Sequence, residues 1–147
     1  MDKYMDANIV FSKFSRDYMW LKNDLPIRPS EMAVVNIITQ RDGRYTPHML
    51  AELLGVSKPM VAAHISVLEK KGYIEKERSG KDRRSFYVLP TDKARELSNE
   101  FVSRQTEYLQ AFEAELGEDG FDELVCLLGK AQPILDKIIR GINNAER

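Results

Sequence analysis

A chain of 147 residues with 43% apolar and 31% charged side chains is one domain's worth of ordinary soluble sequence, large enough to bury a core. No run approaches the ~18 apolar residues that a membrane span needs, and the acid-bearing N-terminus lacks the small-residue cleavage site of a signal peptide. The single cysteine, Cys126, excludes an internal disulfide and fits a reducing cytoplasm, while a net charge of −1 taken alone speaks against a nucleic-acid partner.

In chain order, residues 5–22 predict an amphipathic helix with Ile9, Val10, Phe14, Tyr18 and Leu21 on one face, widened by Phe11 and Trp20. A face that wide implies more than one neighbour. Pro26 and Pro29 bar its continuation, and Ser30 is the expected cap of a second helix, with Glu31 suited to the first turn. Met32, Val34, Val35, Ile37 and Ile38 make this second helix apolar almost all round, the expected centre of the core. It stops at Asp42-Gly43, and Arg44-Tyr45 is too short for more than a bridge to a sheet.

Thr46 followed by Pro47 opens a third, short helix, because Thr caps free amides and Pro fits the first helical position. Leu50, Leu53 and Leu54 give it an apolar face, and Gly55 ends it where a left-handed residue is needed. Ser57 caps a fourth helix running to Lys71, with Val61, Ile65 and Leu68 at 3.6-residue spacing and Gly72 as its stop. Tyr73 to Arg78 and Ser85 to Leu89 alternate apolar and polar residues, the pattern of a half-buried hairpin. Thr91 caps a fifth helix whose Ala94, Leu97, Phe101, Tyr108, Phe112 and Leu116 run down one side for roughly 25 residues, longer than a small globular domain needs. A break is expected over Gly117 to Gly120. The last helix, Phe121 to Ile142, carries Pro133 where a kink is expected, and its Cys126 lies between apolar neighbours, the expected setting of a buried, inert thiol.

The charge is unevenly spread. Residues 58–84 hold eight lysines and arginines against four acids, whereas residues 91–147 hold seven against twelve. A local basic surface is what counterion release from a nucleic acid rewards, so the distribution of charge outweighs its sum and points toward such a partner. His48 and His64 have no partner at metal-ligand spacing, there is no Gly-rich phosphate loop, and no Ser/His/Asp set has a recognisable context. Neither a metal, a cofactor nor catalysis is expected.

The two short helices and the hairpin resemble the winged helix-turn-helix of the MarR family, the multiple-antibiotic-resistance-type transcription regulators. The residues that carry the resemblance are Leu50-Ala51, Leu54-Gly55-Val56-Ser57, Leu68-Glu69-Lys70-Lys71-Gly72-Tyr73-Ile74 and the wing signature Asp82-Arg83-Arg84-Ser85. The implied fold is mainly α with a small β-hairpin wing, a single domain over 1–147. Residues 28–90 would form the winged helix-turn-helix, and 1–27 with 91–147 the long flanking helices that pair two chains. The implied partners are double-stranded DNA, a second copy of the chain and a small-molecule effector, with no membrane.

In a helix-turn-helix the second helix enters the major groove. With Val61, Ile65 and Leu68 turned inward, Ser57, Lys58, Pro59, Ala62, Ala63 and Ser66 would face the DNA. Family members often carry Thr or Arg where this chain has Ala62 and Ala63, and small apolar residues favour thymine methyl groups over guanine. By resemblance, Asp82 holds the shape of the wing, Arg84 enters the minor groove, and Lys81 and Arg83 lie on the backbone. Narrow A-tract minor grooves attract inserted Arg, so an A·T-rich, pseudo-palindromic operator is expected. Thr46 and His48 lie where the third helix would offer amides to a phosphate. The effector pocket of the family lies between the flanking helices and the winged helix, and Phe11, Tyr18, Trp20, Met32 and Phe101 are the candidates to line it. The rival readings are a winged helix used for protein contact and a metal- or redox-sensing regulator.

Overall fold

A computed structural model describes residues 2–22, 24–41, 43–78, 80 and 84–146. The elements are α1 (Lys3–Trp20), α2 (Pro29–Gln40), α3 (Pro47–Leu54), α4 (Lys58–Lys70), β1 (Ile74–Arg78), β2 (Phe86–Pro90), α5 (Asp92–Leu116) and α6 (Glu118–Ala145). The chain forms two compact units, Met1–Glu100 and Phe101–Arg147, with the border inside α5.

The local signals act through caps. Thr46 accepts from the Met49 amide at 3.3 Å with Pro47 in the first helical position, and Ser57 accepts from the Met60 amide at 3.3 Å. Between them Gly55 sits at φ 65°, where a side chain would be strained, and lets α4 leave α3 at an angle. The α2 start differs from expectation. Arg28, not Ser30, holds the cap position, because Pro29 fits the first helical residue, and the Glu31 carboxylate reaches back to accept from the Arg28 amide at 3.0 Å.

The core of the first unit is built on α2. Met32, Val34, Val35 and Ile38 are buried there, joined by Leu50 and Ala51 from α3, Val61, Ile65 and Leu68 from α4, and Ile74 and Val88 from the hairpin. The expected α3 face is corrected by one position: Leu53 is 48% exposed, and the small Ala51 is the residue that lies against the core beside Leu50. β1 and β2 pair antiparallel with Lys76 opposite Val88, and Tyr45 adds an isolated bridge to Val88, whose amide donates to the Tyr45 carbonyl at 2.8 Å.

The start of α5 is fixed to this unit by two sets of polar contacts. Thr91 caps it through the Ala94 amide at 3.3 Å and donates to the Gly72 carbonyl at 2.7 Å, while Lys93 donates to the Lys71 carbonyl at 2.7 Å with its ammonium 4.5 Å from the centre of the Tyr73 ring. Two turns on, the fully buried Ser98 hydroxyl accepts from Thr39 Oγ1 at 2.7 Å and Gln40 Nε2 at 3.0 Å and donates to Asn36 Oδ1 at 3.0 Å.

In the second unit the helix break is shorter than expected. Gly117 alone, at φ 88°, turns the chain, and α6 begins at Glu118, where Glu118 and Asp119 suit the amide end of the helix. Phe112 and Phe121 meet edge to face across this turn, with centroids 6.2 Å apart. Pro133 lies inside α6, which has no buried residue in the single chain. Cys126 is exposed on it, not buried as its apolar neighbours suggested, because those neighbours are themselves uncovered. Among the described residues no single helix is long and apolar enough to cross a membrane.

Candidate nucleic-acid interface

The 3.6-residue repeat of α4 sorts its side chains cleanly. Val61, Ile65 and Leu68 are buried, and Ser57, Lys58, Pro59, Ala62, Ala63 and Ser66 are all exposed on the other side. The outward stripe is short of donors, as its residue types dictate. Ser57 and Thr46 use an oxygen lone pair in capping, but each hydroxyl keeps its hydrogen for an anion, since a hydroxyl both accepts and donates.

A groove of about 390 Å³ lies beside this stripe, lined by Pro47, His48, Lys58, Ala62, Ile65, Ser66, Lys76 and Phe86. Apolar side chains form its floor, and His48, Lys58 and Lys76 bring positive charge or proton donors to it. His48 is exposed, with Nε2 3.1 Å from the Glu52 carboxylate one turn along α3.

The hairpin also sorts its charges by face. Side chains of paired antiparallel residues point the same way and alternate along a strand. Ile74, Lys76 and Arg78 therefore share a face with Val88 and Phe86, the face on which Ile74 and Val88 enter the core and Lys76 and Phe86 line the groove, while Glu75 and Glu77 lie on the other. On that far face Arg44 pairs with Glu77 at 2.6 Å and lies 5.3 Å from the centre of the Tyr87 ring. Sequence reasoning missed Lys76, Arg78 and Phe86, because it summed the charge of the stretch without dividing it by strand face. The I-E-K-E-R alternation of β1 held the signal.

Of the wing residues, Arg84 is exposed just ahead of β2, and Lys81, Asp82 and Arg83 lie outside the described residues. The candidate effector residues have unlike settings. Phe11 and Trp20 are exposed on α1, Tyr18 is half-buried, Met32 is closed within the core at 1% exposure, and Phe101 is half-buried at the start of the second unit. Among the described residues no three His, Cys, Asp or Glu side chains are grouped to hold a metal ion.

The MarR family model matches residues 25–85, the span from the loop before α2 to the residue before β2. A Bacillus subtilis HTH-type transcriptional regulator, YkoM, is 33% identical over 104 residues, 70% of this chain and 66% of its own. The chain belongs to the MarR family. The Escherichia coli transcriptional repressor MprA is 28% identical over 107 residues, 73% of this chain, so that the chain spans 61% of the length of that relative. Among solved structures, Streptococcus pneumoniae FabT in complex with DNA aligns with 95% of this chain and 99% of its own at a TM-score of 0.75 and 21% identity. A MarR protein from Peptoclostridium difficile aligns with 93% of each chain at a TM-score of 0.74 and 19% identity. At these identities the likeness establishes the family's fold, a mostly helical winged helix-turn-helix with a two-stranded wing.

Proposed function

We propose that the protein is a transcription repressor that binds double-stranded DNA as a homodimer and is released by a small-molecule effector. The observation that carries this reading is the continuous surface made by the outward stripe of α4, the groove beside it and the cationic face of the hairpin. It is a basic region on a chain whose net charge is −1. Clustered cations displace counterions from phosphates, and the stripe of α4 is the part of a helix-turn-helix that meets base edges. MprA, a relative, is named a transcriptional repressor.

The dimer rests on the uncovered helices. Phe11 and Trp20 of α1 are 68% and 71% exposed, and Leu128, Ile134 and Ile138 of α6 are 49%, 61% and 53% exposed. Fully burying an exposed Leu, Ile or Phe gains about 1.5–3 kcal/mol, of which these side chains still have roughly half to gain, and apolar area on this scale marks a protein contact. A two-fold pair of chains would read an inverted repeat with half-sites about 10 bp apart. The poverty of donors at Ala62 and Ala63, with Arg84 at the wing, favours A·T-rich half-sites. The effector would act by its differential affinity for two arrangements of the dimer, with Phe11, Tyr18, Trp20, Met32 and Phe101 as the residues to test. The protein would work in the cytoplasm and catalyse nothing.

Selection of bound sequences from a random duplex pool, with Arg84→Ala as control, tests the reading. An A·T-rich inverted repeat lost in the variant supports it, and G·C-rich half-sites would overturn the base preference. The same donor-poor stripe, Pro59, Ala62 and Ala63, favours a second reading in which the winged helix docks on a protein. No enrichment at low salt, where phosphate attraction is strongest, would select that one.

A further inference from the structure

Lys58, Ala62, Ser66 and Glu69 follow one another along the outward stripe of α4, so the line that would face DNA begins with a cation and ends with a carboxylate. An acid there repels phosphate. Beside it, on the groove wall, stands Lys76 of β1, its Nζ 3.6 Å from Glu69 Oε1 and 4.9 Å from the centre of the Phe86 ring. The ion pair is long and both side chains are well exposed, 39% for Lys76 and 45% for Glu69, so water screens it and little is lost when it opens. The ring, by contrast, attracts the ammonium whether or not Glu69 is engaged, and holds it at the groove. Three features thus meet at one point: a cation kept at the groove wall by an aromatic face, a loose anion occupying it, and an apolar floor of Ala62, Ile65 and Pro47 that brings no competing anion.

We propose that Lys76 is a contact to a backbone phosphate of the bound duplex, and that Glu69 is its built-in competitor. In the free protein Glu69 occupies the ammonium. On docking, a phosphodiester oxygen displaces it, and Glu69 is left beside the DNA as a standing brake on affinity for any sequence. The pair sets how tightly the protein holds DNA in general, apart from the residues that choose the site. This proposal rests on the DNA-binding reading above.

The test is fluorescence anisotropy with a labelled duplex of random sequence, titrated with the full chain between about 50 and 200 mM salt. For Lys76→Met, the slope of log affinity against log salt becomes shallower by about 0.9, which makes its deficit relative to wild type about threefold larger at the low end than at the high end. Glu69→Gln tightens binding about two- to fivefold, the worth of an exposed pair no longer in competition. An unchanged slope in Lys76→Met, whatever its affinity, assigns Lys76 to packing against Phe86 and overturns the contact. Unchanged or weaker binding by Glu69→Gln overturns the competitor, and equal tightening by Glu69→Gln in the Lys76→Met background overturns it too; should Lys76→Met unfold, the exposed Lys76→Gln reads the same salt slope. A wild-type protein that binds no duplex at low salt refutes the DNA reading itself, a different outcome from wild type and variants binding alike.

Discussion

Thr91 Oγ1 donates to the Gly72 carbonyl at 2.7 Å, and the same oxygen accepts from the Ala94 amide at 3.3 Å. One side chain therefore closes the end of α4 and opens α5. The Thr91 amide adds a third link by donating to the Tyr73 carbonyl at 3.1 Å, and Lys93 supplies positive charge to the carbonyl end of α4 through Lys71. The orientation of α4 is thereby set from behind, by groups away from its outward stripe.

Thr91→Val keeps the shape of the side chain and removes both hydroxyl bonds. The expected cost is about 1–2 kcal/mol, the worth of a helix cap, read by urea denaturation. DNA affinity is expected to fall with an unchanged salt slope, because no phosphate contact is lost. A shallower slope would show that Thr91 or its neighbourhood touches DNA directly.

Gly55→Ala isolates backbone strain. A Cβ at this position meets nothing within 4 Å, so there is no clash, but the residue holds φ 65°. Left-handed backbone costs an L-residue about 1–2 kcal/mol, and that is the destabilisation expected in thermal or chemical unfolding. No measurable loss would mean that the turn between α3 and α4 relaxes to another conformation.

Ile138→Glu addresses assembly. Ile138 is 53% exposed in the single chain, so a charge there is tolerated by the isolated protomer and is not tolerated inside an apolar contact. Sedimentation equilibrium is expected to show a dimer for the wild type and a monomer for the variant, with operator affinity lost in parallel. A variant that remains dimeric places the contact elsewhere.

Leu68→Ala removes a fully buried side chain from the inward face of α4. A cost of about 2–5 kcal/mol is expected, as for other large-to-small core changes. If unfolding measurements show less than about 1 kcal/mol, the core around α2 and α4 closes over the gap.

The elements were legible in the sequence wherever a local rule had no rival. Thr46, Ser57 and Thr91 are all caps, Gly55 and Gly117 both turn the chain, and Val61, Ile65 and Leu68 all face inward. Where two rules competed, the less obvious one prevailed. Ser30 is a good cap residue by type, but Pro29 cannot donate an amide and so claims the first turn, which moves the cap to Arg28. Likewise Gly120 is helical because Gly117 alone completes the reversal. The candidate site was legible along α4 and less so in the hairpin. There the charge of β1 makes sense only once its partner strand fixes which residues look toward Phe86 and which toward Tyr87. The Lys76–Glu69 pairing joins two elements through tertiary geometry, and no spacing in the sequence announces it.

The knot around Ser98 has a bearing on how the chain finds a single answer. Helices that meet through leucine and valine alone tolerate sliding, because one methyl group is much like another. Here Asn36, Thr39 and Gln40 present a small set of donors and acceptors that only a hydroxyl at one place on α5 completes. Slipping α5 by one turn would bring Ala94 or Val102 to that spot and leave Asn36 Oδ1 without its donor, at about 1–3 kcal/mol, while Thr39 keeps its bond to the Val35 carbonyl and the exposed Gln40 turns to water. Ser98 thus works as a key cut to one lock. It adds little to the strength of the joint and much to its uniqueness, so that a sequence rich in interchangeable apolar residues still settles in one alignment.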